Sequence, residues 1–202
     1  MLKINDNNVD KCLIVVTGIS SSGKSTLSRK LRDKLNDKLF VDLFSVDNFK
    51  EEIYEEIGFR NEIERQVLKT YALSKFKTSI ICSMRKNVDV VIIEYVFDLS
   101  WQEFFNSVCD IYGYTLVIIN CISRSFEDIW ESKVKRDSNF NVRPKCLTAG
   151  AYIKDKLFVP KADLYSDEYK EIHRVEYNTN LYTSLEGDYI INDNEALTSI
   201  YT

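Results

Sequence analysis

The stretch VVTGISSSGKST, residues 15–26, decides the fold. Gly18, Gly23, Lys24 and Ser25 stand at the spacing G-x-x-x-x-G-K-S, in which successive backbone N–H groups and a lysine ammonium surround the phosphates of a nucleotide. Ser20, Ser21, Ser22 and Thr26 fill out the loop and are candidates for the same phosphates. Such a loop works between a buried strand and a helix, and both flanks fit. Cys12 to Thr17 (CLIVVT) is a short, mostly β-branched apolar run of the kind a central parallel strand requires. Leu27, Leu31, Leu35 and Leu39 then recur every four residues among Lys, Arg and Asp, a single apolar stripe that would pack on a sheet. The first-turn N–H groups of that helix would face the loop. A Ser/Gly-rich surface turn could share the spacing but would lack these flanks.

At 202 residues the chain suits one α/β domain with a sizeable core, so residues 1–202 are expected to form a single domain. Hydrophobic residues make up 45% and only two prolines occur, which leaves no disordered arm or Pro-rich linker to explain. The formal charge of −4 argues against general affinity for duplex nucleic acid, which depends on neutralising phosphates with Lys and Arg. Five cysteines (Cys12, Cys82, Cys109, Cys121, Cys146) form no C-x-x-C pair, and three lie in apolar runs, as reduced core thiols do. The N-terminal MLKINDNNVDK has no apolar targeting core, and no run approaches a membrane span. These features predict a cytoplasmic protein without a membrane partner. The one histidine, His173, excludes paired-His zinc sites and is read as structural.

Farther along, Leu39 to Val46 reads as a second strand, ending in Asp47-Asn48-Phe49-Lys50. A long helix is predicted from about Arg60 to Met84, with Ile63, Val67, Leu68, Tyr71, Phe76 and Ile80 near helical spacing. Val88 to Glu94 is the most apolar strand. A helix from about Ser100 to Tyr112, a fourth strand from Tyr114 to Asn120 and a helix from near Ser125 follow. The tail adds a strand pair, EIHRVEYN and DYIIND, and a short terminal helix. This alternation predicts a parallel sheet covered on both faces, with ligands at the carboxyl ends of its strands.

Phosphoryl transfer needs positioning and charge neutralisation more than covalent chemistry. Lys24 can neutralise the β- and γ-phosphates, and the Ser25 hydroxyl can ligate Mg²⁺. Asp47, just past a strand end, is the candidate to accept a proton from an acceptor hydroxyl; it would serve equally as an N-cap for a helix beginning near Phe49. Glu94 closes VVIIE where an acid can hold Mg²⁺ directly or through water, or where an ordinary strand-end carboxylate would stand. The most basic segment contains Lys133, Arg136 and Arg143 and reads either as a lid closing over the nucleotide or as a solvated helix face. Phe49, Arg60 and Tyr95 are candidate acceptor contacts.

GISSSGKST, SVDNFK, VVIIE and the ESKVKRD segment with its following Arg together resemble the P-loop kinase group, over about residues 12–145. That group includes nucleoside and nucleotide kinases, polynucleotide 5′-hydroxyl kinases and zeta-type toxins. The resemblance implies a three-layer fold: a mostly parallel five-stranded sheet with helices on both faces and a small lid at about residues 133–147. It implies ATP and Mg²⁺, Asp47 engaging the acceptor hydroxyl, Lys50 at a position that contacts an acceptor phosphate, and DYIINDNEAL bordering the adenine. Asn48 stands where many relatives carry a second acid and Tyr95 where uridine-kinase-like relatives carry glycine, so the subfamily stays open. The expected activity is ATP- and Mg²⁺-dependent transfer to a hydroxyl or phosphate of a small molecule, a nucleoside or nucleotide first. The alternatives are a kinase for nucleic-acid 5′ ends, a zeta-toxin-like kinase, and a non-catalytic or switch-type nucleotide-binding module. For the switch, no N-K-x-D occurs.

Overall fold

A short antiparallel pair, β1 (Ile4–Asn5) and β2 (Asn8–Val9), precedes the main sheet. In the computed structural model the residues described are 4–5, 8–9, 11–18, 22–95, 101–121, 125–138, 170 and 189–190. The central strand is β3 (Cys12–Thr17), and all six of its residues are buried. Helix α1 (Lys24–Leu35) follows, then β4 (Val41–Ser45), α2 (Val46–Ile57), α3 (Glu62–Arg85), β5 (Val90–Glu94), α4 (Gln102–Tyr112), β6 (Thr115–Asn120), α5 (Phe126–Ser138) and β7 (Tyr189–Ile190). These five strands form one parallel sheet in the order β4-β5-β3-β6-β7.

The two-residue period of β3 explains the layers. Cys12, Ile14 and Val16 point to one face, where they meet Leu27, Leu31 and Leu35 of α1. Leu13 and Val15 point to the other, where they meet Phe76, Ile80 and Met84 of α3 and Phe105 and Val108 of α4. Each buried Val, Ile or Leu is worth roughly 1.5–3 kcal/mol over its exposed state. A strand buried on both sides is therefore a firm anchor for the loop that leaves its end. The α/β class, the parallel five-stranded sheet and the helices on both faces match the expectation from sequence.

Two details differ from that expectation. Helix α2 begins at Val46, not near Phe49, with Ser45 in the N-cap position. The sheet-facing stripe of α3 is Ala72, Phe76, Ile80 and Met84, whereas Ile63, Val67 and Tyr71 are exposed. The predicted strand EIHRVEYN, the terminal helix and His173 lie outside the described residues, as does the lid beyond Ser138. DYIIND contributes β7, paired in parallel with β6.

The strand order creates the site. From β3 the chain passes to the edge strand β4, returns through β5, and then crosses β3 to place β6 on its other side. The direction of winding reverses beside β3, which opens a crevice at the carboxyl ends of the strands. In register, Ser45 of β4 pairs with Glu94 of β5, and Glu94 pairs with Val16 of β3. With strands about 4.8 Å apart, the segments leaving these three ends start within about 10 Å of one another.

Candidate active site

The loop after β3 is shaped by two glycines. Gly18 has φ +136°, and a Cβ there would lie 2.5 Å from the Cys121 carbonyl oxygen and 2.8 Å from Ser22 Oγ. Only glycine lets the loop turn this close to the end of β6. Gly23, at φ +95°, is the N-cap of α1; no side chain caps the helix and its first turn holds no acid. The leading N–H groups of α1 are thus open to an anion, favoured further by the helix dipole. We predict that Gly18→Ala lowers the melting temperature by about 5 °C, from roughly 2 kcal/mol of backbone strain in a chain of this size. An unchanged melting curve would contradict this packing.

Lys24 is buried, with Nζ donating to the Gly18 carbonyl at 2.8 Å, which ties the far end of the loop to its beginning. The Ser22 hydroxyl is buried and has no hydrogen-bond partner among the described residues. Such an atom is costly unless a ligand satisfies it, and a phosphate oxygen would. An open helix end, a lysine, a close-packed glycine and an unsatisfied hydroxyl all fit a nucleotide's phosphates.

The neighbouring strand brings a carboxylate to the loop. Val90 and Ile92 of β5 face α1, so Glu94, two residues on, also faces α1 and reaches its first turn. Ser25 Oγ donates to Glu94 Oε1 at 2.5 Å. A hydroxyl and a carboxylate are hard oxygen donors that suit Mg²⁺, which binds one or two protein oxygens and completes its shell with phosphates and water. No cluster of three or more His, Cys, Asp or Glu occurs among the described residues.

Asp47 sits in the first turn of α2. Ser45 holds the N-cap position, so Asp47 is not the cap. Its side chain is 68% exposed and accepts a bond from Lys50 Nζ at 3.0 Å. The register pairing of Ser45 with Glu94 brings this carboxylate and Lys50 to the same edge as the loop.

The other candidates divide. Phe49 packs on Phe44 and Phe76, with ring centroids 6.2 and 5.6 Å apart. Tyr95 lies against Phe76 and Trp101 at 6.2 and 4.7 Å. Both belong to an aromatic row under the crevice. Arg60 is not brought to this group. It lies beyond the far end of α2, 86% exposed, paired with Glu64 at 3.1 Å; the ten residue steps from Asp47 to Ile57 alone span about 15 Å of helix. Thr26 is exposed on α1. Lys133 and Arg136 lie on α5. Ser20, Ser21 and Arg143 lie outside the described residues.

Sequence reasoning missed the end of β6. Cys121 donates its backbone N–H to Thr17 at 2.8 Å while its carbonyl abuts Gly18. Burial pushes its thiol up to about 11, with Lys24 lowering it and Glu94 raising it, so the sulfur stays neutral beneath the loop. Asn120 is buried, and its Oδ1 has no partner among the described residues. The clue available was position: a strand end beside the central strand borders the crevice.

Comparison with known proteins agrees with this geometry. The family model for adenylylsulphate kinase matches residues 10–83, from the start of β3 into the end of α3. A comparison with curated proteins gives no significant match. Among solved structures, one from Chloroflexus aurantiacus described as a kinase is 23% identical, covering 67% of this chain and 71% of its own, with a TM-score of 0.57. The structure of the PezAT toxin–antitoxin system of Streptococcus pneumoniae is 15% identical at a TM-score of 0.50, covering 71% of this chain and 59% of that one. One from the Pnkp1/Rnl/Hen1 RNA repair complex is 16% identical at 0.53, covering 91% of this chain and 50% of that one. At these identities the structural likeness establishes the fold.

Proposed function

We propose, from the premise that the chain is a P-loop kinase, that it transfers the terminal phosphoryl group of ATP to a hydroxyl or phosphate oxygen of a small molecule, a nucleoside or nucleotide first. One observation carries this reading: three adjacent strand ends bring a phosphate cradle, the Ser25–Glu94 pair and a separate, exposed carboxylate, Asp47, to one edge of the sheet. A module that only held nucleotide would need the first two. Asp47 adds a group able to take a proton from an incoming hydroxyl while its oxygen bonds to the γ-phosphorus and ADP leaves.

In this reading Lys24 and the α1 N-terminus hold charge on the β- and γ-phosphates, and Lys50 orients Asp47 or meets an acceptor phosphate. Ser25 and Glu94 would hold Mg²⁺, which neutralises the phosphate oxygens when bound. Lys133 and Arg136 on α5, with Arg143, are proposed to cover the nucleotide. Glu94→Gln keeps an oxygen for Ser25 but removes the charge that attracts the cation. We expect it to raise the Mg²⁺ concentration for half-maximal activity by about tenfold or more, equivalent to about 1.4 kcal/mol of cation affinity. An unchanged Mg²⁺ titration would remove Glu94 from the metal site.

The acceptor is identified by coupled ADP release over nucleosides, nucleotides, sugars and 5′-hydroxyl oligonucleotides. The proposal expects saturable ADP release with a small-molecule acceptor. Saturation by an oligonucleotide alone would favour a 5′-end kinase, and no acceptor-dependent release would leave a nucleotide-binding module.

A further inference from the structure

Four of the six large apolar side chains exposed among the described residues gather on the α2–α3 hairpin: Ile57, Ile63, Val67 and Tyr71. Ile63, Val67 and Tyr71 follow at four-residue spacing and so stack on one side of α3, the side turned away from Phe76 and the sheet. Ile63 is 78% and Val67 63% exposed. Beside them, between α3 and the end of α2, lies a groove of about 760 Å³ lined by Ile57, Phe59, Ile63, Val67 and Leu68. Exposed apolar residues scattered singly need no explanation, but a contiguous stripe opening into a groove marks a binding surface. The groove is not the acceptor position, because about 15 Å of helix separates Ile57 from Asp47.

The charge around the groove is one-sided. Helix α2 carries Asp47, Glu51, Glu52, Glu55 and Glu56 against one cation, Lys50, which is already paired with Asp47. Glu55 lines the groove itself. Arg60 is paired with Glu64 and Arg65 with Glu62, and Lys69 adds its charge near Glu62. Lys75 lies over the Tyr71 ring at the far end of the stripe, 5.5 Å from its centroid. Glu51, Glu52, Glu55 and Glu56 thus form a row of acids on α2 with no ion pair among the described residues.

We propose that this groove docks an amphipathic helix of a partner protein. Its apolar residues, spaced at i, i+4 and i+7, would seat against Ile57, Ile63, Val67 and Tyr71, and lysines or arginines on its flank would lie along α2. The apolar stripe provides the helical spacing and the acid row selects the charge of the flank.

The test uses the full chain and a displayed library of amphipathic helices of about four turns, their flanking positions varied among basic, acidic and neutral residues. Selection is expected to enrich apolar residues at helical spacing with basic flanks. The best member, made as a labelled peptide, should bind with a micromolar dissociation constant by fluorescence anisotropy and more weakly at higher salt. The paired change Ile63→Glu with Val67→Glu should weaken it by about tenfold or more. Glu55→Lys with Glu56→Lys should do the same and shift preference toward acidic flanks. These side chains are exposed, so both variants should keep the wild-type melting curve, and the two variants test the site independently. Failure to enrich, enrichment of acidic or neutral flanks, or equal binding to both variants would overturn the proposal. So would wild-type self-association that Ile63→Glu abolishes, since the occupant would then be a second copy.

Discussion

Lys24→Ala is expected to fold as the wild type does and to transfer phosphoryl groups at least about 10²-fold more slowly, the loss associated with removing one fixed transition-state donor. Folding should survive because Lys24 lies in the first turn of α1, where alanine is the better helix former, and removing a buried ammonium relieves a desolvation cost. Activity should not survive, because charge on the γ-phosphoryl oxygens grows during transfer and Lys24 is the buried cation at the loop. Thermal melting and steady-state kinetics together decide the matter. A variant with the wild-type melting curve and more than about a tenth of wild-type kcat, a loss under about 1.4 kcal/mol, would show that Lys24 braces the loop without serving the reaction.

The second large effect is expected at Asp47. Asp47→Asn should lower kcat by about 10²–10⁴-fold, the range for a positioned acid–base group, while the dissociation constant for ATP changes little. The two should separate because Asp47 follows β4, whereas the loop proposed to hold the phosphates follows β3. Stability should shift by no more than about 1 kcal/mol, since the change removes one exposed ion pair with Lys50 and one charge at a helix N-terminus. If ATP affinity collapsed while kcat held, Asp47 would belong to the metal and not to the acceptor.

Much of this site was legible in local sequence because its first half is local. CLIVVT, GISSSGKST and the Leu27–Leu31–Leu35 stripe lie within two dozen residues, and the strand–loop–helix unit they form has one workable packing. Glu94 was legible as a strand end, but its bond to Ser25 was not. The two are 69 residues apart and meet only because β5 inserts between β4 and β3, an order that no local pattern encodes. The contact of Gly18 with Cys121 was hidden for the same reason.

Where local reading failed, a tertiary preference had overridden it. Ile63, Val67 and Tyr71 have the spacing of a core stripe, yet the sheet took the neighbouring face with Ala72, Phe76 and Ile80. Phe49 and Tyr95 were candidate acceptor contacts for which core packing was the plainer reading, and their rings pack on Phe76 and Trp101. Arg60 was a candidate acceptor contact for which a surface role was the plainer reading, and the length of α2 sets it apart from Asp47.

The central claim is that the Gly18–Ser25 cradle and Asp47 act on opposite sides of one transferred phosphoryl group. The most direct measurement follows that group itself. ATP labelled at the γ-phosphate is incubated with the full chain, Mg²⁺ and the acceptor found by ADP release, and the products are separated. The account predicts label on the acceptor with wild-type protein, and label accumulating about 10²-fold or more slowly with either Lys24→Ala or Asp47→Asn, although Asp47→Asn still binds ATP. Label recovered only in ATP or free phosphate, or full transfer by Asp47→Asn, would contradict it.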